Sequence, residues 1–343
     1  MNQGLTSIDT RVVAGPYFED FHHGLEFDAP AVTLTAGHVA IHQALFGDRL
    51  RLPLDHAISS RVTGSAAPLC HPLLAINIAI GQSTWASQRV KANLFYKGLV
   101  LRRPVFVGDT LYTRTRVVGL RQNKPQPGRS ATGIVALEMT TTNQHGDTVL
   151  HFWRCPMIPC RDPQAVTGHV DDLDSIGQGV TLDDVRAAAP SNWDATPTAS
   201  WQGLRASDLV RGQRFVIESR DTITSAPELV RLSLNMAMAH TDSRLSYLGE
   251  RLVYGGHTIF MGFAQITRGL PNLLTVLAWE SCDHVAPVLE GDRLRTEFSV
   301  TDVVGVGASK GSLMRIEAEC FAARGDPEDE TRVLDWKFWA LAV

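Results

Sequence analysis

The chain has 343 residues, 44% hydrophobic and 20% charged, with a formal net charge of −4. Such a composition describes a folded globular protein of about two domains, each able to bury its own core. The acidic balance argues against a general nucleic-acid binder, while leaving basic clusters such as Arg121 to Lys124 for a phosphorylated ligand group. No run approaches the roughly 18 to 20 apolar residues of a membrane span, and no basic stretch followed by an apolar run opens the sequence, so a cytoplasmic location is expected. Cys70, Cys155, Cys160, Cys282 and Cys320 show no Cys-x-x-Cys spacing or nearby histidine pair. They read as reduced, mostly buried thiols, and no metal is expected.

In chain order, an extended opening runs from Tyr17-Phe18-Glu19-Asp20-Phe21 to Gly24 and from Ala31 to Thr35, where Thr33-Leu34-Thr35 precedes a helix. After an irregular polar segment, Leu73-Leu74-Ala75-Ile76-Asn77-Ile78-Ala79-Ile80 predicts a helix over about 72–84, apolar almost all round and therefore buried. Alternating runs such as Thr110 to Val118 fit strands with one buried face, and Asn143 to Asp147 fits a hairpin loop. From about 161 to 200 the chain is rich in Gly, Asp, Pro and Ala and reads as a linker long enough to cross a domain face. Within it, Thr181 to Ala189 predicts a short helix with an N-cap, ended by Pro190.

The same order then returns. Val210 to Phe215 and Thr222-Ile223-Thr224 form the extended opening. Ser225 and Glu228 read as a capping box, with Pro227 tolerated in the first turn, so a helix is expected from about 226. Thr258-Ile259-Phe260-Met261-Gly262-Phe263-Ala264 predicts a second buried helix over about 256–268, Arg293 to Val300 a strand, and Arg324 to Glu330 the matching hairpin loop. The return is a duplication. His71 to Gly108-Asp109-Thr110-Leu111 recurs as Tyr254 to Gly291-Asp292-Arg293-Leu294 at an offset of 183, and Leu150 matches Leu334 at 184. The expected organisation is an N-terminal unit over 1–160, a linker over 161–200 and a C-terminal unit over 201–343, each of α+β order.

Gly108-Asp109-Thr110-Leu111 and Gly291-Asp292-Arg293-Leu294, with Tyr17-Phe18-Glu19-Asp20-Phe21, Gly119-Leu120-Arg121-Gln122-Asn123-Lys124 and Arg251-Leu252-Val253-Tyr254-Gly255-Gly256-His257, carry a resemblance across both halves. The chain resembles the MaoC-like (R-specific enoyl-CoA hydratase-like) hydratases and dehydratases, and within them the mesaconyl-CoA hydratases, or β-methylmalyl-CoA dehydratases. The resemblance implies a tandem double hotdog, two antiparallel sheets each wrapped round a central apolar helix. It also implies reversible hydration of a short, branched, dicarboxylic enoyl-CoA thioester. Coenzyme A then arrives as part of the substrate, with no separate cofactor, no nucleic-acid partner and no membrane. Strand edges make a homo-oligomer plausible. A non-catalytic acyl-CoA-binding protein and a hotdog thioesterase are the alternatives.

The resembled enzymes carry Gly-Asp-x-Asn-Pro-Leu-His-x-Asp, followed by His-Gly at the start of the buried helix. In the first half, Gly47-Asp48-Arg49-Leu50-Arg51-Leu52-Pro53-Leu54-Asp55 keeps both aspartates but has Pro53 for the histidine, and His71-Pro72 offers no N–H where His-Gly belongs. That half reads as degenerate, with Asp48 and Asp55 as turn or cap residues. In the second half, Leu234-Asn235-Met236-Ala237-Met238-Ala239-His240-Thr241-Asp242 keeps the histidine and outer aspartate, with Asn235 for the catalytic aspartate, and Tyr254-Gly255-Gly256 supplies free N–H groups. His240 is the candidate general acid/base. Asn235 would orient water or hold one tautomer of His240, and Asp242 is a candidate acidic partner. Tyr254, Gly255, Gly256 and His257 are candidates for holding the thioester oxygen or the substrate. His240 and the Gly255 and Gly256 amides are expected in one cleft between the halves. Cys282-Asp283-His284 is read as structural, since strand alternation separates neighbours.

Overall fold

The computed structural model describes residues 12–307, 309–325 and 329–343. The first eleven residues, on which the expected lack of a targeting segment rests, and part of the Arg324 to Glu330 loop lie outside them. In the first half, strands β1 (Glu26–Phe27) and β2 (Val32–Thr33) precede helices α1 (Ala36–Phe46), α2 (Arg51–Leu54), α3 (His56–Thr63) and α4 (Pro72–Ser83). Strands β3 (Ala92–Leu101), β4 (Thr110–Gln122), β5 (Thr132–Thr142) and β6 (Thr148–Pro159) follow, and then α5 (Leu182–Ala188). The second half holds β7 (Gln213–Val216), β8 (Asp221–Thr222), α6 (Ala226–Leu232), α7 (Gly255–Gly269), β9 (Leu273–His284), β10 (Arg293–Gly307), β11 (Gly311–Arg324) and β12 (Asp329–Ala342).

The repeat is physical as well as textual. Gln82 Nε2 donates to Leu111 O and Gln265 Nε2 to Leu294 O, both at 2.9 Å and both 183 residues apart in register. Asp109 Oδ2 accepts from Phe106 N–H as Asp292 Oδ2 accepts from Leu289 N–H, each at 2.8 Å. These turns need Gly108 and Gly291 at φ 102° and 88°, where side chains other than glycine are strained. Every residue of α4 is buried, as is each from Gly256 to Thr267 in α7, so the all-round apolar helices form the two core axes.

The sheets of the two halves join edge to edge into one continuous sheet. Its twelve strands run β1-β4-β5-β6-β3-β9-β12-β11-β10-β7, with β2 on β4 and β8 on β10. The join is β3 against β9, at Leu99↔Trp279 and Val100↔Ala278: pairing the two inner edges satisfies backbone groups that separate sheets would leave open. The Ser225–Glu228 capping box does not form. Ser225 sits at φ −129°, ψ 34° rather than extended, and its hydroxyl caps nothing. Thr181 does cap α5, accepting from Asp184 N–H.

Residues 161–200 run over the outer face of the sheet. Lys97 Nζ, on β3, donates to the carbonyls of Asp174 (3.0 Å) and Ile176 (2.8 Å). Val185 and Ala188 pack into an apolar cluster with Val100, Leu277 and Trp339, and Lys310 Nζ donates to Ser191 O and Trp193 O at 2.8 Å. All five cysteines are buried and unpaired. No helix among the described residues is long and apolar enough to cross a membrane.

The halves dock reciprocally about the central helices. Thr84 Oγ1, just past α4, accepts from Met236 N–H at 2.9 Å, and its counterpart Thr267 Oγ1, near the end of α7, accepts from Arg49 N–H at 3.3 Å. Where α4 passes the end of α6, a Cβ on Gly81 would overlap the Ser233 carbonyl oxygen. Gly81→Ala is therefore expected to destabilise the fold by about 1–3 kcal/mol as overpacking, outweighing the better helix propensity of alanine. A urea midpoint equal to or above wild type would show that the halves do not meet this closely.

Candidate active site

A cleft of about 300 Å³ opens between the halves. Its second-half wall carries Asn235 and His240 from the loop after α6, Tyr254 and Gly255 at the start of α7, and His284 at the end of β9. Its first-half wall carries Ile80 and Thr84 from the end of α4, with Tyr96 and Arg154 from β3 and β6.

The loop after α6 is held by its own backbone chemistry. Leu234 takes φ +57°, where the first half has Gly47 at φ +56°, and it alone among the described non-glycine residues has a positive φ. A left-handed leucine costs roughly 1–2 kcal/mol. Asn235 Oδ1 then accepts from Ala237 N–H at 2.9 Å, as Asp48 Oδ1 accepts from Leu50 N–H at 2.6 Å, which confirms that the two positions correspond. Asn235 Nδ2 makes no hydrogen bond among the described residues and is its group left for the cleft.

His240 Nδ1 lies 3.0 Å from Leu252 O. A carbonyl only accepts, so the proton is on Nδ1 and Nε2 presents a lone pair. Burial pushes His240 down to about 4, against the opposing pull of the Leu252 carbonyl, so the ring is neutral at pH 7. The Tyr254 ring lies 5.5 Å from that of His240, and its hydroxyl is buried without a hydrogen-bond partner among the described residues.

Helix α7 begins without a side-chain cap, and among the described residues nothing accepts from the Gly255 and Gly256 N–H groups at its positive end, whereas His257 N–H donates to Tyr254 O at 2.8 Å. Gly255 is needed there for a second reason. A Cβ would strike the imidazole of His284, whose Nε2 is buried without a hydrogen-bond partner among the described residues. Burial, with His240 as neighbour, pushes His284 down to about 4 as well. Two neutral imidazoles and an uncapped helix start thus face one space, an arrangement suited to moving a proton beside a developing oxyanion.

The corresponding place in the first half is closed. His71 Nδ1 accepts from Leu73 N–H at 3.2 Å and caps α4, and Pro72 has no N–H. His71 Nε2 lies 3.2 Å from Asp48 Oδ1 without hydrogen-bond alignment. Where α4 presents Ile80 to the open cleft, α7 presents Phe263, whose ring packs edge-on against His71 at 5.5 Å, and Phe260 lies 4.6 Å from the ring of His42. The remaining space is about 10 Å³, no more than about one water.

His240, Asn235, Tyr254 and Gly255 thus meet in one cleft; the other expected residues do not line it. Gly256 sits behind it, with its Cα against Asn77 Oδ1 and the Tyr254 ring. His257 faces Phe46 of α1, ring to ring at 4.9 Å, and burial pushes it down to about 4. Asp242 caps the turn Ser243–Leu245 and holds Arg244 at 2.7 Å, with its carboxyl lowered by that pairing. Asp55 caps α3 in the same way.

His284 belongs to the cleft although its motif reads as structural. Alternation separates Asp283 from its neighbours, but it puts Cys282 and His284 on one face. The buried Cys282 thiol is pushed well up. Arg154 is the other residue passed over. The repeat carries its signal, because at the offset of 184 its counterpart is Phe338.

No family model matches the chain. It is 30% identical to the mesaconyl-CoA hydratase of Cereibacter sphaeroides over 96% of this chain and 98% of that protein. It is 31% identical to the beta-methylmalyl-CoA dehydratase of Chloroflexus aurantiacus over 82% and 80% respectively. Among solved structures, a conserved hypothetical protein of Mycobacterium tuberculosis with a double hotdog fold is similar at a TM-score of 0.88 and 46% identity, over 96% of this chain and 99% of that one. A putative MaoC domain dehydratase of Chloroflexus aurantiacus is similar at 0.81 and 25% identity, over 97% and 99%. The fold is a double hotdog.

The depressed histidines predict a pH signature. Unfolded histidines protonate near pH 6.5, while folded His240, His257 and His284 wait until about 4. The unfolded state therefore binds more protons between those values, so stability falls on acidification from 6.5 to 4 and is flat above. His284→Asn should remove about one proton from that slope. An unchanged slope, or a His284 ring resonance titrating near 6.5 in the wild type, would contradict the burial described.

Proposed function

Because the chain belongs to the MaoC-like hydratases and dehydratases, we propose that it reversibly hydrates a short, branched enoyl-CoA thioester in this cleft, with a dicarboxylic acyl group of the mesaconyl-CoA type. The coarse activity follows from the family: a hydro-lyase acting on enoyl-CoA thioesters. The acyl group and the residue roles are the proposed part. The observation that carries them is the free Nε2 of a tautomer-locked His240 facing the cleft that Gly255 opens.

In the hydration direction, Nε2 of neutral His240 takes a proton from water as the water oxygen bonds to the β-carbon. The alkene electron pair moves to the α-carbon and the thioester oxygen. The Gly255 N–H, at the positive end of α7, stabilises that oxygen. The imidazolium then returns its proton to the α-carbon, and water has added with no group left over. Asn235 cannot act as a base; its Nδ2 donates to the attacking water and holds it in line. His284 narrows the same space and presses on Gly255. A second cavity of about 300 Å³ shares Lys91 and Tyr247 with the cleft, a route for the pantetheine arm toward a cation that can meet phosphate.

The test is mass spectrometry of mesaconyl-CoA and crotonyl-CoA after incubation with wild type and His240→Ala. Wild type should add one water, and the variant should be about 10²–10⁴-fold slower. Coenzyme A release without a water adduct would make the protein a thioesterase. Equal hydration by both proteins would remove His240 from the mechanism, and no reaction by either would leave acyl-CoA binding without turnover.

A further inference from the structure

Arg154 is 3% exposed and yet lines the cleft. Its Nε donates to Ser83 Oγ at 3.1 Å, and its Nη2 donates to Ser83 O at 3.1 Å and Ser87 Oγ at 2.7 Å. All of these acceptors are neutral, and Nη1 makes no hydrogen bond among the described residues. No carboxylate pairs with Arg154 there. The ionisable groups acting on it are the phenols of Tyr96 and Tyr254 and the Cys155 thiol, each of which burial keeps protonated. A buried guanidinium without an anion is strongly disfavoured, because desolvation is not repaid by a counter-charge. The Ser83 carbonyl at the end of α4 offsets part of that cost and leaves Nη1 over.

The second half is an internal control for the bland reading, in which this strand position simply needs an arginine to hold the helix end. Arg154 pairs across the sheet with Tyr96, and its counterpart Phe338 pairs with Trp279, 183 residues after Tyr96. At the same offset Ser83 and Ser87 become Ile266 and Leu270. The hotdog therefore closes with apolar residues at every one of these places, and the polar set stands only where it borders the working cleft. Beside it the Tyr254 hydroxyl is buried without a hydrogen-bond partner among the described residues.

We propose that Arg154, with the Tyr254 hydroxyl, receives a carboxylate at the far end of the acyl group, so that the site selects dicarboxylic over monocarboxylic acyl-CoA esters. The proposal rests on the hydratase reading for its ligand class. Guanidinium and carboxylate match as a charge-assisted pair, and in a dry cleft the pair discriminates against a methyl group of similar size.

Saturated esters separate binding from turnover. Calorimetry of 2-methylsuccinyl-CoA and 2-methylbutyryl-CoA with wild type should show a preference of tenfold or more for the first. Arg154→Gln should abolish that preference by weakening only the dicarboxylic ester, and Arg154→Lys should restore part of it. Equal affinities in wild type, or a preference that survives Arg154→Gln, would overturn the proposal. Should that variant fail to fold, Tyr254→Phe decides, because it leaves the Ser83 contacts intact: a preference cut several-fold supports the pairing, and an undiminished one overturns it. Hydration of mesaconyl-CoA and of tiglyl-CoA, its analogue with methyl for carboxylate, is measured alongside. Equal hydration of both would end the Arg154 proposal while the hydratase stands. No hydration of either, with the binding preference intact, would end the hydratase reading alone.

Discussion

Everything in this molecule depends on the reciprocal docking of each half's loop on the other half's central helix, marked by Met236 N–H on Thr84 Oγ1 and Arg49 N–H on Thr267 Oγ1. Because the helix ends are exchanged in this way, neither half owns a cleft. The second half supplies His240, His284 and the start of α7, and the first supplies Ile80, Thr84, Tyr96 and Arg154. With all of α4 and residues Gly256 to Thr267 of α7 buried and the sheet continuous through β3 and β9, the two contributions are held in one frame.

The repeat holds two such frames, and opposite changes on the two sides leave one of them open and the other closed. Around the first-half position, Pro72, the His71 cap and the rings of Phe260 and Phe263 remove the donors and fill the space. Filling an apolar void recovers the packing that a cavity forfeits, so this half contributes stability. Around the second-half position, Gly255 and Ile80 leave room beside His240 and Arg154, and the Tyr254 hydroxyl and His284 Nε2 are buried without a hydrogen-bond partner among the described residues. Those groups are costly in an apoprotein, and their presence is what a bound polar ligand would relieve. The strained Leu234 sits at the base of the same loop, as functional loops commonly do.

Much of this was legible in the chain. The repeat placed both buried helices to within a residue or two, because an all-round apolar run of that length has little choice but the core. The aligned motif led to Asn235, His240, Tyr254 and Gly255 because these positions are fixed by local backbone chemistry, an Asx turn and a helix start. What local pattern does not encode was missed. His284 comes from the end of β9, and only tertiary packing brings it over Gly255. Arg154 reaches the cleft across the pseudo-dimer from a strand of the other half, although comparing it with Phe338 in the repeat would have raised the question. Asp242 was drawn to the site by its motif position, yet a neighbouring Arg244 and an open turn suffice to occupy it. The single sheet was hidden for a similar reason, since the edges that join it lie in different halves.

The geometry gives the two homologous halves one open ligand cleft between them. Native mass spectrometry of the intact protein with 2-methylsuccinyl-CoA tests it most directly, by counting ligands per chain. One ligand per chain at saturation is the predicted result. Two per chain would mean that the first-half site, closed here by Pro72, His71 and Phe263, binds as well, and would contradict the account.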